Sequence, residues 1–434
     1  MIRRHKIVSV PPGGEQEFER VAPPAANPGG AGYTASDKPD EDGRSSAYDF
    51  SLILGGPLYQ LFCRAHLCGK VLELLRRRLL VLCGVTLLPL LLFSVLEGNA
   101  LGGAVKVPFL LDPEVYARFL VALPLLIVAE LVIHERMRTV VGQFLERGLI
   151  AENMREKFDA AIASALRLRN SVLAEVLLIA TVYVVDVLVI WRGHMVLDVG
   201  TWGSSFLNGE AQPTLAGWWY RCVSLPVLQF LLLRWYYRLF IWGRFLWQVS
   251  RLNLKLIATH PDHSAGLGFL AQISYAFGPL LVAQGALVAG MIADRIFYAG
   301  AKLPQFKVEI GALGVIAVLM VVGPVLVFAP KLAQVKRIAL REYGAFAQRY
   351  VREFEEKWLR RGAASGEASL GSGDIQSLAD LSNGYEIIRQ MRAVPFTLRA
   401  LVRLALVTLA PVAPLALTMI SAEELLQRLI KVVF

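Results

Sequence analysis

The sequence predicts an all-α integral membrane protein of about seven transmembrane helices, with the N-terminus cytoplasmic, the C-terminus outside and helical cytoplasmic extensions. Three observations carry this expectation. The 434 residues are 55% hydrophobic and only 18% charged, whereas soluble domains hold about 45–50% apolar and about 25% charged residues. Seven apolar segments reach the roughly 17–25 residues that cross a bilayer as a helix. Lys and Arg are distributed unevenly between those segments. The same composition argues against a soluble enzyme and against a disordered chain. Four cysteines in this length argue against a disulfide scaffold.

Taken from the start, residues 1–48 are polar and rich in Pro, Gly and Ala, with Pro11-Pro12-Gly13-Gly14, Pro23-Pro24 and Asn27-Pro28-Gly29-Gly30. They read as a disordered cytoplasmic tail. No apolar run follows Arg3-Arg4, so a cleaved signal peptide is not expected. Residues 49–78 read as an interfacial or amphipathic cytoplasmic segment, too short and too broken by Gly55-Gly56-Pro57 to span. The membrane domain, 79–420, contains the seven predicted spans at 79–97, 115–133, 172–191, 217–237, 267–293, 310–329 and 400–420. Cytoplasmic helical segments are expected at 134–171, 243–266 and 331–399. Residues 421–434 start with the capping-box pattern Ser421-Ala-Glu-Glu424 and read as an amphipathic surface helix.

Orientation follows from the basic residues. Of 45 Lys and Arg, 34 lie in the tail, the first two inner loops and 331–399, against nine on the other side. This is the positive-inside pattern. It accounts for the net charge of +10 without nucleic acid as a partner; the lipid bilayer is the partner expected. Aromatic belts at Trp218-Trp219-Tyr220 and Trp235-Tyr236-Tyr237 mark the two ends of the fourth span.

Six spans carry an internal proline: Pro89, Pro124, Pro226, Pro279, Pro324, and Pro411 with Pro414. Each frees a carbonyl one turn earlier, which protein or water must satisfy. The segments Ala122-Leu-Pro-Leu-Leu126 and Ser224-Leu-Pro-Val-Leu228 resemble each other. Arg136 and Arg238 lie equally far beyond their prolines, which hints at a repeated hairpin.

Charged residues within the spans are the best candidates for function, because a charge at bilayer depth costs at least about 2.5–3.5 kcal/mol. They form two layers. An inner layer holds Glu130, Glu175, Arg234 and Arg403. An outer layer holds Arg118, Asp186 and Arg221. Spans two and three are consecutive, so Glu130 is expected to face Glu175, and Arg118 to face Asp186. Two adjacent carboxylates either share an arginine or hold a proton. The second case suits a coupled transporter in which both glutamates line a cytoplasmic-facing cavity.

Three further features are candidates. The run Thr259-His-Pro-Asp-His-Ser-Ala-Gly-Leu-Gly268 places His260, Asp262 and His263 in a cytoplasmic loop. They could hold a metal or an anion, but the spacing is not an established metal pattern, and a proline turn in which Asp262 or Ser264 caps span five is the favoured reading. Tyr343, Phe346, Tyr350, Phe354 and Trp358 form one aromatic stripe on a helix, which either packs on neighbouring helices or docks a protein partner or a second copy. Cys63, His66 and Cys68 form a weak zinc pattern, so no metal is expected. No nucleotide-binding, metalloprotease or serine-hydrolase motif occurs. No catalytic residue and no cofactor is assigned, and an enzyme is the less favoured class.

At Thr259-His-Pro-Asp262, Met391-Arg-Ala-Val-Pro-Phe396, Ala410-Pro-Val-Ala-Pro-Leu415 and the closing Glu-Glu-Leu-Leu helix, the chain resembles a group of polytopic inner-membrane proteins of proteobacteria. The likeness covers most of the chain from about residue 70. It implies a multi-pass protein of the bacterial inner membrane and implies no activity. The functional expectation is a transporter or channel for a small solute or ion; the alternative is a membrane scaffold that docks partners through its cytoplasmic helices.

Overall fold

An apolar segment that must satisfy its own backbone polar groups becomes helical, and helices build most of the described residues. The computed structural model describes residues 50–53, 55–57, 60, 71–102, 105–191, 201–207, 210–360 and 373–419. The expected tail at 1–48, the terminal helix at 421–434, the Cys63–Cys68 pattern and much of 49–78 lie outside them.

The helices are α1 (Val71–Leu96), α2 (Leu123–Glu146), α3 (Arg155–Arg169), α4 (Val172–Trp191), α5 (Leu225–Ser250), α6 (Leu270–Ala276), α7 (Gly278–Ala299), α8 (Lys307–Leu326), α9 (Ala329–Glu355), α10 (Gly373–Gln390) and α11 (Leu398–Leu409). The last continues as a tighter 3₁₀ turn over Ala410–Met419. Five helical stretches are long and apolar enough to cross a membrane: Arg76–Leu96, Pro113–Glu146, Gly278–Ala299, Leu303–Leu326 and Leu398–Met419. Glu152–Arg169 with Val172–Asp186, bent by 45°, would make a sixth.

These correspond to predicted spans one, two, five, six and seven, and in part to span three. The fourth, at 217–237, falls on a helix that does not meet the same standard. Its apolar stretch is short between Arg221 and Arg234, and Arg234 and Arg238 are buried within the protein. The fifth is shifted. Residues 270–276 form the separate helix α6, and α7 starts at Gly278 with Pro279 in its first turn, where a missing N–H costs nothing. A short antiparallel ribbon, β1 (Ser204–Leu207) with β2 (Glu210–Pro213), joins α4 to α5 and has no counterpart in the all-α expectation.

The two Leu-Pro segments are built alike. Asp112 caps one short turn, Pro113–Tyr116, by accepting from the N–H groups of Glu114 and Val115; Thr214 caps another, Leu215–Trp219, by accepting from Gly217. Each turn runs into a π-helical stretch, Ala117–Ala122 or Tyr220–Ser224. Each then resumes as an α-helix with Pro124 or Pro226 at its second position. The wide turn sits just before a residue that cannot donate. Two freed carbonyls find donors on neighbouring helices. Pro89 frees Val85 O, which accepts from Trp219 Nε1 at 3.1 Å; Pro226 frees Cys222 O, which accepts from Tyr183 OH at 3.4 Å.

Helix α7 is the most enclosed of the candidate spans. Small residues let its neighbours approach. A Cβ at Gly285 would coincide with the Thr408 carbonyl oxygen of α11, and one at Gly290 would lie 2.5 Å from Ala117 Cβ. At the end bearing the basic loops, a continuous aromatic cluster replaces aliphatic packing. It joins Phe50, Trp242, Phe245, Phe158, Phe144, Phe269 and Phe328, with ring centroids 5.1–6.4 Å apart. In the expected segment 331–399, α9 and α10 pack against each other. Their far ends carry exposed side chains on most faces.

Candidate functional site

The predicted inner layer is a buried ion-pair network. Helix α5 supplies Arg234 and Arg238, one turn apart and so on one face. Trp235 Nε1 donates to Leu126 O of α2 at 3.0 Å, and Tyr237 OH donates to Leu168 O of α3 at 2.8 Å. These bonds orient α5 between its neighbours. Glu130 of α2 accepts from Arg238 at 2.8 Å and from Arg78 of α1 at 3.3 Å, and lies 3.7 Å from Arg234. Arg234 reaches Glu175 of α4 at 3.4 Å. All five side chains are at most 13% exposed. The chain Arg78–Glu130–Arg238/Arg234–Glu175 therefore ties α1, α2, α5 and α4 together.

Glu130 and Glu175 are brought to a common partner, as their placement in consecutive helices implies. That partner is Arg234, 3.7 Å from Glu130 and 3.4 Å from Glu175. Arg403 is not in this network; its guanidinium lies 5.0 Å from the Tyr275 ring centroid. Arg78 and Arg238 belong to it, although sequence reasoning counted both as loop charges of the orientation signal. Arg238 follows Arg234 by four residues, and that spacing was the available sign.

A strap of chain covers this network. Phe50 is fully buried against Trp242 and Phe245. Arg169 Nη1 donates to Ser51 O at 2.6 Å. Gly55 and Gly56 have φ of +131° and +91°, conformations open to glycine. A Cβ on Gly56 would lie 3.4 Å from Glu175 Oε1 and 3.9 Å from Arg234 Nη2. The strap thus passes close enough to these charges that a side chain at Gly56 would touch them.

The predicted outer layer is not assembled as expected. Arg118 pairs with Glu114, one turn earlier on its own helical stretch, and lies over the Tyr220 ring. Asp186 instead accepts from Gln229 Nε2 at 3.1 Å, and its Oδ2 is buried without a hydrogen-bond partner among the described residues. The nearest available partner decided each case: an i,i+4 carboxylate for Arg118 and the facing helix for Asp186. Arg221 is half-buried and forms no ion pair among the described residues. Two grooves between the helices, of about 660 and 260 Å³, are lined by apolar residues near Pro89 and near Pro226, and neither lining includes Glu130 or Glu175.

In the 259–268 loop, Asp262 is the organiser. Its carboxylate accepts from the backbone N–H groups of Ser264 (2.8 Å), Gly266 (3.1 Å) and Gly268 (2.8 Å). The His260 ring nitrogen Nδ1 lies 3.0 Å from Oδ1. Burial works to raise the Asp262 pKa, but the three N–H donors and His260 outweigh it and hold the carboxyl below its usual range. A Cβ on Gly268 would lie 2.9 Å from Asp262 Oδ2, so the carboxylate needs glycine there. His263, at φ +52°, turns its carbonyl to accept from Arg392 N at 2.8 Å, joining the loop to the Met391–Phe396 run. No group of three or more His, Cys, Asp or Glu suited to a metal occurs among the described residues.

The aromatic stripe of α9 lies along the α9–α10 pair. Tyr350 OH donates to Asp374 O at 3.2 Å, and Trp358 Nε1 and Lys357 Nζ donate to Asp374 Oδ2 at 3.2 and 2.7 Å. Phe346 is 46% exposed, beside Tyr350 and with Arg349 over its ring. Tyr343 and Phe354 are half-buried.

No protein-family model matches the chain, and neither a curated protein nor a solved structure shows significant similarity to it.

Proposed function

We propose that this is a seven-span protein of a bacterial inner membrane, N-terminus in the cytoplasm and C-terminus outside, which serves as a docking scaffold through the α9–α10 arm. The carrying observation is the arm's distal surface. Phe346, Val351, Leu359 and Ile375 are exposed there, among Arg349, Arg352 and Arg360 and the acidic Glu353, Glu355 and Glu356. Exposed apolar side chains among charges of both signs suit a protein partner that offers apolar contacts and complementary charges. The inner network adds support, because its charges hold one another and bind the helices together.

The test places a photo-cross-linking amino acid at position 346 in the full-length protein in cells, with a control at Val315 on an apolar helix face. A discrete adduct at 346, lost in Arg349→Glu/Arg352→Glu and absent at 315, supports docking. An adduct indifferent to charge reversal overturns it.

Transport is the second reading, favoured by Arg238 Nη2 and Asp186 Oδ2, buried polar atoms without hydrogen-bond partners among the described residues. Buried groups of this kind mark pathways in membrane proteins. Glu130, Glu175, Asp186, Arg234, Arg403, Arg118 and Arg221 remain its candidate residues. It fails if Glu130→Gln and Glu175→Gln both leave proteoliposome flux and its pH dependence unchanged.

A further inference from the structure

We propose that the arginines beneath the strap residues 50–53 and 55–57 form a binding site for a phosphate group, and that these residues occupy the site in the closed state. The proposal does not rest on the docking role.

Arg234 and Arg238 sit on one face of α5, Arg169 ends α3 beside them, and Arg78 reaches the same Glu130 from α1. Guanidinium forks bind phosphate through paired N–H groups. Arg238 Nη2, in a side chain only 5% exposed, has no hydrogen-bond partner among the described residues. Such a donor is costly to bury unless another state or a ligand uses it.

The strap supplies what an anion would supply. The Ser51 carbonyl oxygen receives Arg169 Nη1 at 2.6 Å, and a Cβ added to Gly56 would meet Arg169 O, Glu175 Oε1 and Arg234 Nη2 at 3.1, 3.4 and 3.9 Å. Only glycines allow that approach, and their positive φ values give the strap its path. Phe50 anchors one end in the aromatic cluster. Release of that anchor withdraws the carbonyl from Arg169 and opens the guanidinium groups to a phosphate oxygen. Closure thus lowers apparent affinity by the fraction of molecules that are open.

The test uses full-length protein in nanodiscs. Inorganic phosphate is titrated at constant ionic strength against wild type, Phe50→Ala and Gly56→Val. We expect apparent affinity about tenfold or more higher in either loosened variant, with the gain abolished by adding Arg169→Gln. In wild type, phosphate is expected to slow phenylglyoxal modification of Arg169, read by mass spectrometry, which keeps the test open if both variants misfold. A parallel arm compares nanodiscs of phosphatidic acid with phosphatidylcholine. Protection by free phosphate identifies a soluble ligand, and protection by phosphatidic acid alone identifies a headgroup. Equal affinity in wild type and loosened variants, binding retained in Arg169→Gln, or no protection from either source overturns the proposal.

Discussion

Glu130→Gln tests whether the inner network holds the helices together. The change keeps the shape of the side chain and removes its charge. Glu130 faces Arg238 at 2.8 Å, Arg78 at 3.3 Å and Arg234 at 3.7 Å, and those arginine side chains are 5–10% exposed. Removing the central carboxylate leaves Arg238 and Arg78 facing one neutral oxygen, while Arg234 keeps Glu175. Breaking a buried pair by removing one partner costs about 3–5 kcal/mol, and here one carboxylate serves several partners, so the upper part of that range is expected. The assay is reversible unfolding of the full-length protein in mixed micelles with increasing denaturing detergent. Glu386→Gln is the control, because the Glu386–Arg389 pair is exposed and such pairs contribute little. The reasoning is refuted if Glu130→Gln unfolds at the same detergent fraction as Glu386→Gln.

Other expectations follow from single contacts. Trp219→Phe removes the donor to the Val85 carbonyl that Pro89 frees, at about 1–3 kcal/mol. Adding Pro89→Ala restores a backbone donor, so the double mutant should recover part of that loss; additive losses would refute the pairing. Asp262→Asn leaves one acceptor oxygen for the three N–H groups now shared between two, costing about 1–3 kcal/mol. Because the folded pKa of Asp262 lies below its unfolded value near 3.9, its contribution is complete above that pH and is lost as pH falls through the lower folded value. Protection of the Gly266 and Gly268 amides from hydrogen exchange should therefore fall as the pH drops below about 4 in wild type and be low at all pH in Asp262→Asn. Gly285→Val forces α7 away from the Thr408 carbonyl, with a loss of about 3 kcal/mol; an unchanged thermal midpoint would show that the crossing is looser than described.

Much of the architecture was legible from the chain. Runs such as 79–97 and 310–329 must be helical wherever water is scarce, and both are. The capped turn before Leu-Pro occurs twice because the same local chemistry, a side-chain cap and a residue without an N–H, recurs at Asp112–Pro124 and Thr214–Pro226. The candidate site was legible in part. Glu130, Glu175 and Arg234 are conspicuous as charges in apolar surroundings, and their association follows from hairpin adjacency. Arg238 and Arg78 escaped notice because each lies at the end of an apolar run, where a basic residue ordinarily marks orientation. Arg118 misled for the opposite reason: Glu114, one turn away, satisfies it locally and leaves Asp186 to Gln229.

The linear sequence determines which groups must find partners, since an apolar run sets the cost of burying a charge or a freed carbonyl. It also determines local caps and breaks, because these depend on residues a turn apart. The tertiary structure decided which partner each group found. That choice depends on helix rotation and depth, and these come from distant contacts: Gly285 against Thr408, Trp235 against Leu126, and the strap glycines against Arg169 and Glu175. The excess of arginine read along the chain as an orientation signal is, at Arg78 and Arg238, the centre of a buried network, and only packing could show which arginines those were.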